Sequence, residues 1–174
     1  MVWALPSPVV VGDQIWIFFT GTNVDHNGDT DAFSKTGQPQ SGISLARLRL
    51  DGFVSLTSPL HSRGGSQPWP AEVVTKPLKF RGERLELNVR TSGGGSVLVE
   101  LQDGASGAAL PGFALADCIP MIVDSVNATV LWQGRQNWKE TPKSDVSKLQ
   151  THPGGVRVRL QMVGAELYAL QFKQ

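Results

Sequence analysis

The stretch that decides the fold is Gly93-Gly-Gly-Ser-Val-Leu-Val-Glu-Leu-Gln-Asp103. After its three glycines, the apolar residues Val97, Val99 and Leu101 sit at every second position. Period-two alternation with one polar face is typical of an antiparallel sheet that is solvated on one side. The glycines predict a hairpin turn that joins this strand to a preceding one. The inward residues of that preceding strand are Leu85, Leu87 and Val89.

The same alternation recurs towards the C-terminus. A short turn is predicted at Gly164-Ala165, and turn signals come every 8–12 residues, the spacing of an all-β sandwich or barrel. Six or so strands over roughly a hundred residues predict a jelly-roll-like β-sandwich over residues 72–174. One turn of helix is predicted over 144–149, with Ser144 as its N-cap. The other inward sets are Val126, Ala128, Val130 and Trp132, then Val156, Val158, Leu160 and Met162, then Tyr168, Leu170 and Phe172.

The N-terminal part has the pattern of two further hairpins. The first is predicted over residues 8–20, with a type II′ turn at Gly12-Asp13. Its second strand has apolar residues at both odd and even positions, so we expect both of its faces to be buried. Residues 42–56 predict the second, with a type I′ turn at Asp51-Gly52. Four short antiparallel strands are what one propeller blade contains. We therefore expect an all-β chain: a four-stranded blade-like sheet over 1–57, a linker over 58–71, and the sandwich.

The composition excludes several kinds of partner. A net charge of +1 gives no electrostatic reason to expect nucleic acid or an anionic membrane surface. No stretch approaches the roughly 18 uninterrupted apolar residues of a membrane helix, and the N-terminus has no signal-peptide pattern, although this says little about the compartment. Cys118 is the single cysteine, which excludes an internal disulfide. We expect its thiol to be buried and inert.

The N-terminal hairpins resemble a known family in their residues as well as in their pattern. The segments Val10-Val-Gly-Asp-Gln-Ile-Trp-Ile-Phe-Phe-Thr-Gly21, His26-Asn-Gly28 and Ser41-Gly-Ile-Ser-Leu-Ala-Arg-Leu-Arg-Leu-Asp-Gly-Phe-Val-Ser-Leu56 resemble the last blade of five-bladed glycoside-hydrolase-like propellers, the invertase and arabinanase-like proteins. Segments such as Leu110-Pro-Gly-Phe113 and Leu167-Tyr-Ala-Leu-Gln-Phe172 are similar to the region that follows it. The resemblance implies a C-terminal β-sandwich beside a propeller.

The resemblance implies no catalytic residue for this chain, because the family's catalytic carboxylates lie on earlier blades. Glycoside hydrolysis needs two carboxyl groups that flank one sugar bond, about 5–5.5 or 6.5–9.5 Å apart. Asp25, Asp29 and Asp31 share one loop, and Glu86 and Glu100 belong to strand faces that we expect to be solvated. The sequence therefore predicts a protein that is not an enzyme.

One acidic loop has part of a calcium-binding pattern. Asp25, Asn27 and Asp29 place oxygen side chains at alternate positions, as calcium loops do, and would be the ligands if calcium were bound. The match to an EF-hand stops at the sixth position, Thr30, where glycine is expected, and at the twelfth, Thr36, where glutamate is expected. A solvated acidic turn without a cofactor is the favoured interpretation.

Five tryptophans raise the question of sugar binding, since aromatic faces stack on sugar rings. Trp16 and Trp132 are predicted to be core residues. Trp138, which polar residues flank, is the best stacking candidate, and the competing interpretation is a tryptophan that plugs the end of the sandwich. By the resemblance His26 lies near the mouth of a sugar pocket, which makes His26 and Asn27 candidates for ligand binding; the alternative is an ordinary loop histidine.

Three hypotheses follow for function. The first is a non-catalytic β-sandwich module, a structural or interaction unit derived from the tail of a propeller glycosidase. The second is a carbohydrate-binding module, and the third is a remnant glycoside hydrolase. We also expect a homodimer, because a lone blade has uncovered edges and apolar side chains on both faces.

Overall fold

The structure, a computed structural model, describes residues 1–23, 40–60, 70–133 and 141–174. The chain forms two compact units, Met1–Phe53 and Val54–Gln174. The first contains a four-stranded antiparallel sheet and the second a five-stranded one, which confirms the predicted all-β class. The predicted linker includes residues outside the described ranges, so its bounds stay a prediction. The strands are β1 Val2–Ala4, β2 Val9–Val11, β3 Gln14–Thr22, β4 Ser41–Arg49, β5 Leu56–Ser58, β6 Ala71–Val74, β7 Arg84–Asp103, β8 Asp124–Thr129 and β9 Val156–Lys173.

The first sheet is centred on β3. This strand pairs with β4 along one edge and with β1 and β2 along the other. The predicted hairpin over 8–20 is confirmed, since Val11 pairs with Gln14 across a two-residue turn. Of the two turn residues, Gly12 alone has a positive φ, of 57°. A positive φ at the first turn residue only is the signature of the predicted type II′ turn.

The second predicted hairpin is wrong. The amide of Gly52 donates to the carbonyl of Arg49 at 2.9 Å, so the turn is centred on Leu50 and Asp51 and not on Asp51 and Gly52. Asp51 has a φ of 53°, and a side chain at position 52 would meet Arg49 Cβ at 2.6 Å. The chain then pairs elsewhere: Leu56–Ser58 lies beside β9 within the second unit.

Burial in the first sheet is slighter than its sequence predicts. Ile15 is buried, but Trp16 is only half-buried, with the Arg47 guanidinium 5.0 Å from its ring centroid. The predictions that β3 is buried on both faces and that Trp16 is a core residue are therefore wrong. The physical reason is that the described strands of the first unit form one sheet, and a face of a sheet is buried only where a second layer packs on it.

The second unit is organised by one long antiparallel pair of strands. β7 and β9 pair from Arg84 with Lys173 to Asp103 with Val156. β8 pairs with the far edge of β7, while β5 and β6 pair with successive parts of the far edge of β9. Both long strands continue past their glycines. The predicted hairpin turns at Gly93–Gly95 and at Gly164-Ala165 are therefore wrong.

The glycines create a bulge in the strand pair. The register between β7 and β9 shifts between Thr91 and Ser96, so that residues 92–95 lie opposite the short stretch around Gly164. A Cβ atom on Gly95 would lie 2.3 Å from the carbonyl oxygen of Gly164. Backbones can approach this closely only where no side chain intervenes. Extra residues in one strand bend it and increase its twist.

The bend folds the strand pair over a common core. The Val130 amide donates to the Leu85 carbonyl at 2.9 Å, and Trp132 Nε1 donates to the Val99 carbonyl at 2.9 Å. In a straight strand Leu85 and Val99 would lie about 46 Å apart. Val130 bonds to Leu85 and Trp132 bonds to Val99, although Val130 and Trp132 are only two residues apart. The two halves of β7 must therefore lie in two layers. The two layers belong to one bent five-stranded antiparallel sheet.

The core combines residues from both halves of the bent pair. Trp132 is fully buried, as predicted, and its ring meets the edge of Phe113 at a centroid distance of 5.1 Å. The rings of Phe80 and Phe172 stack at a centroid distance of 3.7 Å, and both side chains pack against this core. The fully or nearly fully buried strand residues are Leu85, Leu87, Val89, Val97, Val99, Leu101, Val156, Val158, Leu160 and Met162.

Helical structure in the described part of the chain is one 3-10 turn, Ser147–Leu149. The predicted helical turn is thus shorter than expected, and its N-cap is Val146 instead of Ser144. The Asp145 carboxylate performs the capping role, because its Oδ1 accepts from the Ser147 amide at 2.8 Å. Among the described residues no helix is long and apolar enough to cross a membrane.

The close approach of the two strands at the bend predicts that a side chain at position 95 destabilises the fold. We expect Gly95→Ala to lower the free energy of unfolding by about 1–3 kcal/mol, because its methyl group would push against the Gly164 carbonyl. Gly93→Ala is the matched control, since a Cβ there meets no atom within 4 Å. Urea denaturation followed by tryptophan fluorescence measures both. Equal stability of the two variants would show that the close approach at the bend does not constrain the fold.

Candidate functional site

The residues that the sequence singles out as a site fall outside the described ranges. This holds for the stacking candidate Trp138, for His26 and Asn27, and for the calcium candidates Asp25 and Asn27 with Asp29. Their assignments stay predictions. Among the polar side chains that the structure does describe, we consider three clusters on the second unit as candidates for a site, each of which contains a carboxylate.

The first cluster lies on a strand face that was expected to be solvated. Glu100 is only 7 % exposed, because the loop that follows β7 packs over it and Leu115 donates its amide to Oε2 at 3.1 Å. Gln102 Nε2 donates to Oε1 at 2.8 Å, and Arg159 Nη1 does so at 3.2 Å. Arg159 extends to Glu72 with Nη2 at 2.5 Å. Glu86, Asn88 and Gln102 are buried too, so the prediction of a fully solvated face is wrong.

The environment of Glu100 favours its ionised form. Burial raises the pKa of the Glu100 carboxyl, but the hydrogen bonds from Gln102, Leu115 and Arg159 together outweigh it, and the net pKa lies below the ordinary value. The pKa of Arg159 is raised, chiefly by its hydrogen bond to Glu72. A carboxylate held in this way stays deprotonated at neutral pH and cannot serve as a general acid.

The second cluster lies at one end of the long strand pair, where Asp103 at the end of β7 meets the segment that leads into β9. Asp103 Oδ1 accepts from the Ser106 hydroxyl at 2.7 Å and from the Ser106 amide at 2.6 Å. Its Oδ2 lies 2.8 Å from His152 Nε2. The hydrogen bonds from Ser106 and then the one from His152 lower the pKa of Asp103. Because serine and histidine both bond to the carboxylate and not to each other, this trio lacks the serine–histidine contact of an activated nucleophile.

The third cluster stands at the bend of the strand pair. Arg90 Nη2 donates to Glu166 Oε1 at 2.8 Å, and the Tyr168 hydroxyl donates to Glu166 Oε2. Arg90 precedes the glycine run of β7, and Glu166 follows Gly164 in β9. Since the two glycine segments oppose each other, the residues that flank them are brought side by side.

A groove with both polar and apolar lining opens beside this cluster. The groove, here called the bend groove, has a volume of about 440 Å³ and is lined by residues 57–60, 90–92 and 164–166. Its floor is held by hydrogen bonds: the Ser58 hydroxyl donates to the Met162 carbonyl at 2.8 Å, and the Ser92 hydroxyl donates to the Gly164 carbonyl at 2.9 Å. Arg90 and Glu166 contribute its charged groups.

A second groove continues along β5. This edge groove has a volume of about 360 Å³ and is lined by residues 54–56 and 167–170 together with Val73 and Thr75. Its surface is mainly apolar, and Leu56, Tyr168 and Leu170 contribute to it. The two grooves therefore lie against successive parts of the same strand, and the Tyr168 hydroxyl in the edge groove donates to Glu166 in the bend groove, which contains the charged groups.

Cys118 takes no part in these clusters. It is buried as predicted, and its Sγ accepts from the Val99 amide at 3.2 Å. Burial raises the pKa of the thiol to about 11. A thiol with this pKa is protonated at neutral pH and offers no thiolate nucleophile.

Comparison of the chain with known proteins does not assign it to a family. No protein-family model, no curated protein and no solved structure matches the chain. Within the described ranges, no group of three or more histidine, cysteine, aspartate or glutamate side chains is placed to hold a metal ion. The site must therefore be interpreted from its own chemistry.

Sequence reasoning missed the pair Arg90 and Glu166. In sequence they are 76 residues apart, and each resembles an ordinary polar residue of a strand. One signal was present: each stands next to a glycine segment, and glycines in a strand mark bulges or close backbone approach. Treating both segments as hairpin turns placed Arg90 and Glu166 in different parts of the sheet.

The Glu100 cluster yields a prediction on stability. Arg159→Met leaves the buried Glu100 carboxylate with neutral donors only, and we expect it to lower the free energy of unfolding by about 1–3 kcal/mol at pH 7. Glu72→Gln is the control, because it changes only the outer end of the cluster and should cost less than about 1 kcal/mol. Urea denaturation measures both variants.

The same experiment has a pH dependence with a definite sign. Because the folded-state pKa of Glu100 is lowered, its stabilising contribution is present above the unfolded-state pKa and is lost as the pH falls through the folded-state pKa. The difference between the native protein and Arg159→Met should therefore shrink as the pH is lowered from 7 towards 3. A difference that stays constant over this range would contradict the assignment of an ionised Glu100.

Proposed function

We propose that this chain is a non-catalytic β-sandwich module, a structural or interaction unit derived from the tail of a propeller glycosidase. The observation that carries the proposal is the state of the carboxyl groups in the second unit. Glu100 and Asp103 are held by donors that lower their pKa, and Glu166 is paired with Arg90. A glycosidase needs one carboxyl group whose pKa is raised so that it can protonate the leaving group.

The proposed origin is supported by the order of the sheets and by the sequence resemblance. A four-stranded antiparallel sheet precedes a larger antiparallel sheet, as a last blade precedes a sandwich in the invertase and arabinanase-like proteins. The segments that carry the resemblance cover β2, β3 and β4 in the first sheet and parts of β7 and β9 in the second.

The proposal predicts that the chain does not hydrolyse glycosides. We expect no turnover of fructosides, arabinosides or other aryl glycosides above the buffer rate, because the pKa values of Glu100 and Asp103 are lowered, whereas the acid of a glycosidase needs a raised pKa. Release of the aryl group or of reducing sugar measures this. Activity that survives repurification and falls in Asp25→Asn or Asp124→Asn would instead support the remnant glycoside hydrolase.

A carbohydrate-binding module is the second candidate function. It is favoured by the two grooves beside β5, one with a charged pair in a mixed lining and one mainly apolar, since a sugar ring presents hydroxyl groups at its edge and C–H groups on its faces. The two candidates are compatible in their lack of catalysis, and they differ in whether the module binds a glycan.

We further propose that the chain forms a homodimer through its first sheet. Several apolar side chains on one face of this sheet are exposed, among them Ile43 at 77 %, Trp3 at 47 % and Val9 at 47 %, which the strand register places on the same face. Exposed apolar patches of this kind mark interaction surfaces or aggregation hazards, and a symmetric pair is the commonest way to cover one.

The dimer proposal is tested by sedimentation velocity at micromolar concentration. We expect a dimer that is weakened in Ile43→Lys, because a charge at the centre of a buried apolar surface is unfavourable. Ile122→Lys is the matched control, since Ile122 is also highly exposed, at 71 %, but belongs to the second unit. Native protein that sediments only as a monomer would reject the proposal.

A further inference from the structure

We infer that the bend groove binds a neutral saccharide through the Arg90–Glu166 pair. The groove has a volume of about 440 Å³, which falls within the roughly 300–1,000 Å³ of small-molecule sites. It is built on two paired strands and β5 instead of on a long loop. Side chains on such elements hold their positions more precisely than side chains on loops do.

The serine hydroxyl groups of the bend groove already donate hydrogen bonds to the protein backbone. The hydroxyl groups of Ser58 and Ser92 donate to the carbonyls of Met162 and Gly164, so they can accept a hydrogen bond but not donate one to a ligand. Thr57 differs, because its hydroxyl lies 3.3 Å from the Ser55 hydroxyl near the surface. Ligand recognition therefore depends on the charged pair and on Thr57.

The charged pair can recognise hydroxyl groups in both directions. Arg90 has five N–H donors and a side chain that is 52 % exposed. Among the described residues, it engages Glu166 through Nη2. Carboxylate oxygens each accept more than one hydrogen bond, so Glu166 can accept from a ligand while it remains paired. Two neighbouring hydroxyl groups of a saccharide can therefore accept a hydrogen bond from Arg90 and donate one to Glu166.

Charge selects against ionic ligands at this site. The guanidinium and the carboxylate are 2.8 Å apart, and together they carry no net charge. An anion beside Arg90 would face Glu166, and a cation beside Glu166 would face Arg90, so either would meet a like charge at short range. A neutral ligand with several hydroxyl groups avoids both penalties.

The edge groove accounts for the apolar part of the ligand. Tyr168 is held by its hydroxyl on Glu166, and with Leu56 and Leu170 it lines the apolar groove that follows. Tyrosine offers an apolar ring face beside a polar end. A saccharide longer than one unit can thus place hydroxyl groups in the bend groove and a C–H face in the edge groove.

This inference rests on the proposed function in one respect, namely that the bound saccharide is not hydrolysed. Binding and hydrolysis are measured separately, so the two can fail independently. A chain that binds and also hydrolyses a glycoside would contradict the proposed function alone. A chain that neither binds nor hydrolyses would contradict the inference alone.

The test uses the full chain on an array of neutral oligosaccharides of two to six units, printed beside their carboxylated and sulfated counterparts. We expect saturable binding to a subset of the neutral glycans and none to the acidic counterparts of those glycans. Arg90→Met should weaken this binding at least tenfold, as expected when hydrogen bonds from a charged donor are lost. Titration calorimetry with the best neutral glycan measures the loss.

Two further variants test whether the charged pair of the bend groove selects the ligand. Glu166→Gln keeps an acceptor for Tyr168 but removes the carboxylate that is hydrogen-bonded to Arg90, so that Asp124, whose charge interaction with Arg90 is weaker, remains beside it. The variant should therefore gain binding to the carboxylated and sulfated glycans. Arg84→Met is the matched control: Arg84 is on the same strand, 3.7 Å from Glu86, and does not line the groove. It should bind as the native protein does. Circular dichroism confirms that each variant is folded.

Several outcomes would overturn the inference. One is an array without any bound neutral glycan, and another is preferential binding of acidic glycans by the native protein. A third is binding that Arg90→Met leaves unchanged while Trp138→Ala abolishes it, because the ligand would then lie at the tryptophan and not in the bend groove.

Discussion

The close approach of Gly95 to Gly164 is the constraint on which the rest of the second unit depends. A strand pair as long as that of β7 and β9 would project far beyond any core if it were straight. The missing side chains at the glycines let the two backbones meet where the register shifts. The pair then folds into two layers. One Cβ atom at Gly95 would lie 2.3 Å from a carbonyl oxygen, so glycine there is a steric requirement of the fold.

The bend also determines how the core is filled. Both halves of β7 turn their valine and leucine side chains into one space, and Trp132 spans it with its indole N–H on the Val99 carbonyl. A buried indole N–H without a partner would cost free energy. The same hydrogen bond therefore satisfies the tryptophan and ties the second half of β7 to the segment that follows β8. The core and the bend stabilise each other.

Polar chemistry in this unit follows from the same geometry. The bend brings Arg90 to Glu166, and the packing of the loop after β7 onto the sheet buries Glu100 beside Arg159. Each of these carboxylates accepts a hydrogen bond from a guanidinium. Burial raises the pKa of Glu100, but its hydrogen bonds from Gln102, Leu115 and Arg159 together outweigh burial and leave the pKa below its ordinary value. Proton donation in catalysis needs the opposite shift in pKa.

The sequence by itself determined the all-β class and most of the inward residues of β7 and β9. Alternation of apolar and polar residues marks the buried face of a strand whether or not the strand continues past its glycines. The sequence also determined the type II′ turn at Gly12, which depends on two adjacent residues. Only the tertiary structure decided whether the glycines at 93–95 and 164 form hairpin turns or bend a continuous strand. A hairpin turn and a bend both need the backbone conformations that glycine adopts, so the sequence cannot distinguish them. The partners of Arg90 and Glu100 depend on that choice, and for this reason no local pattern could have indicated the bend groove.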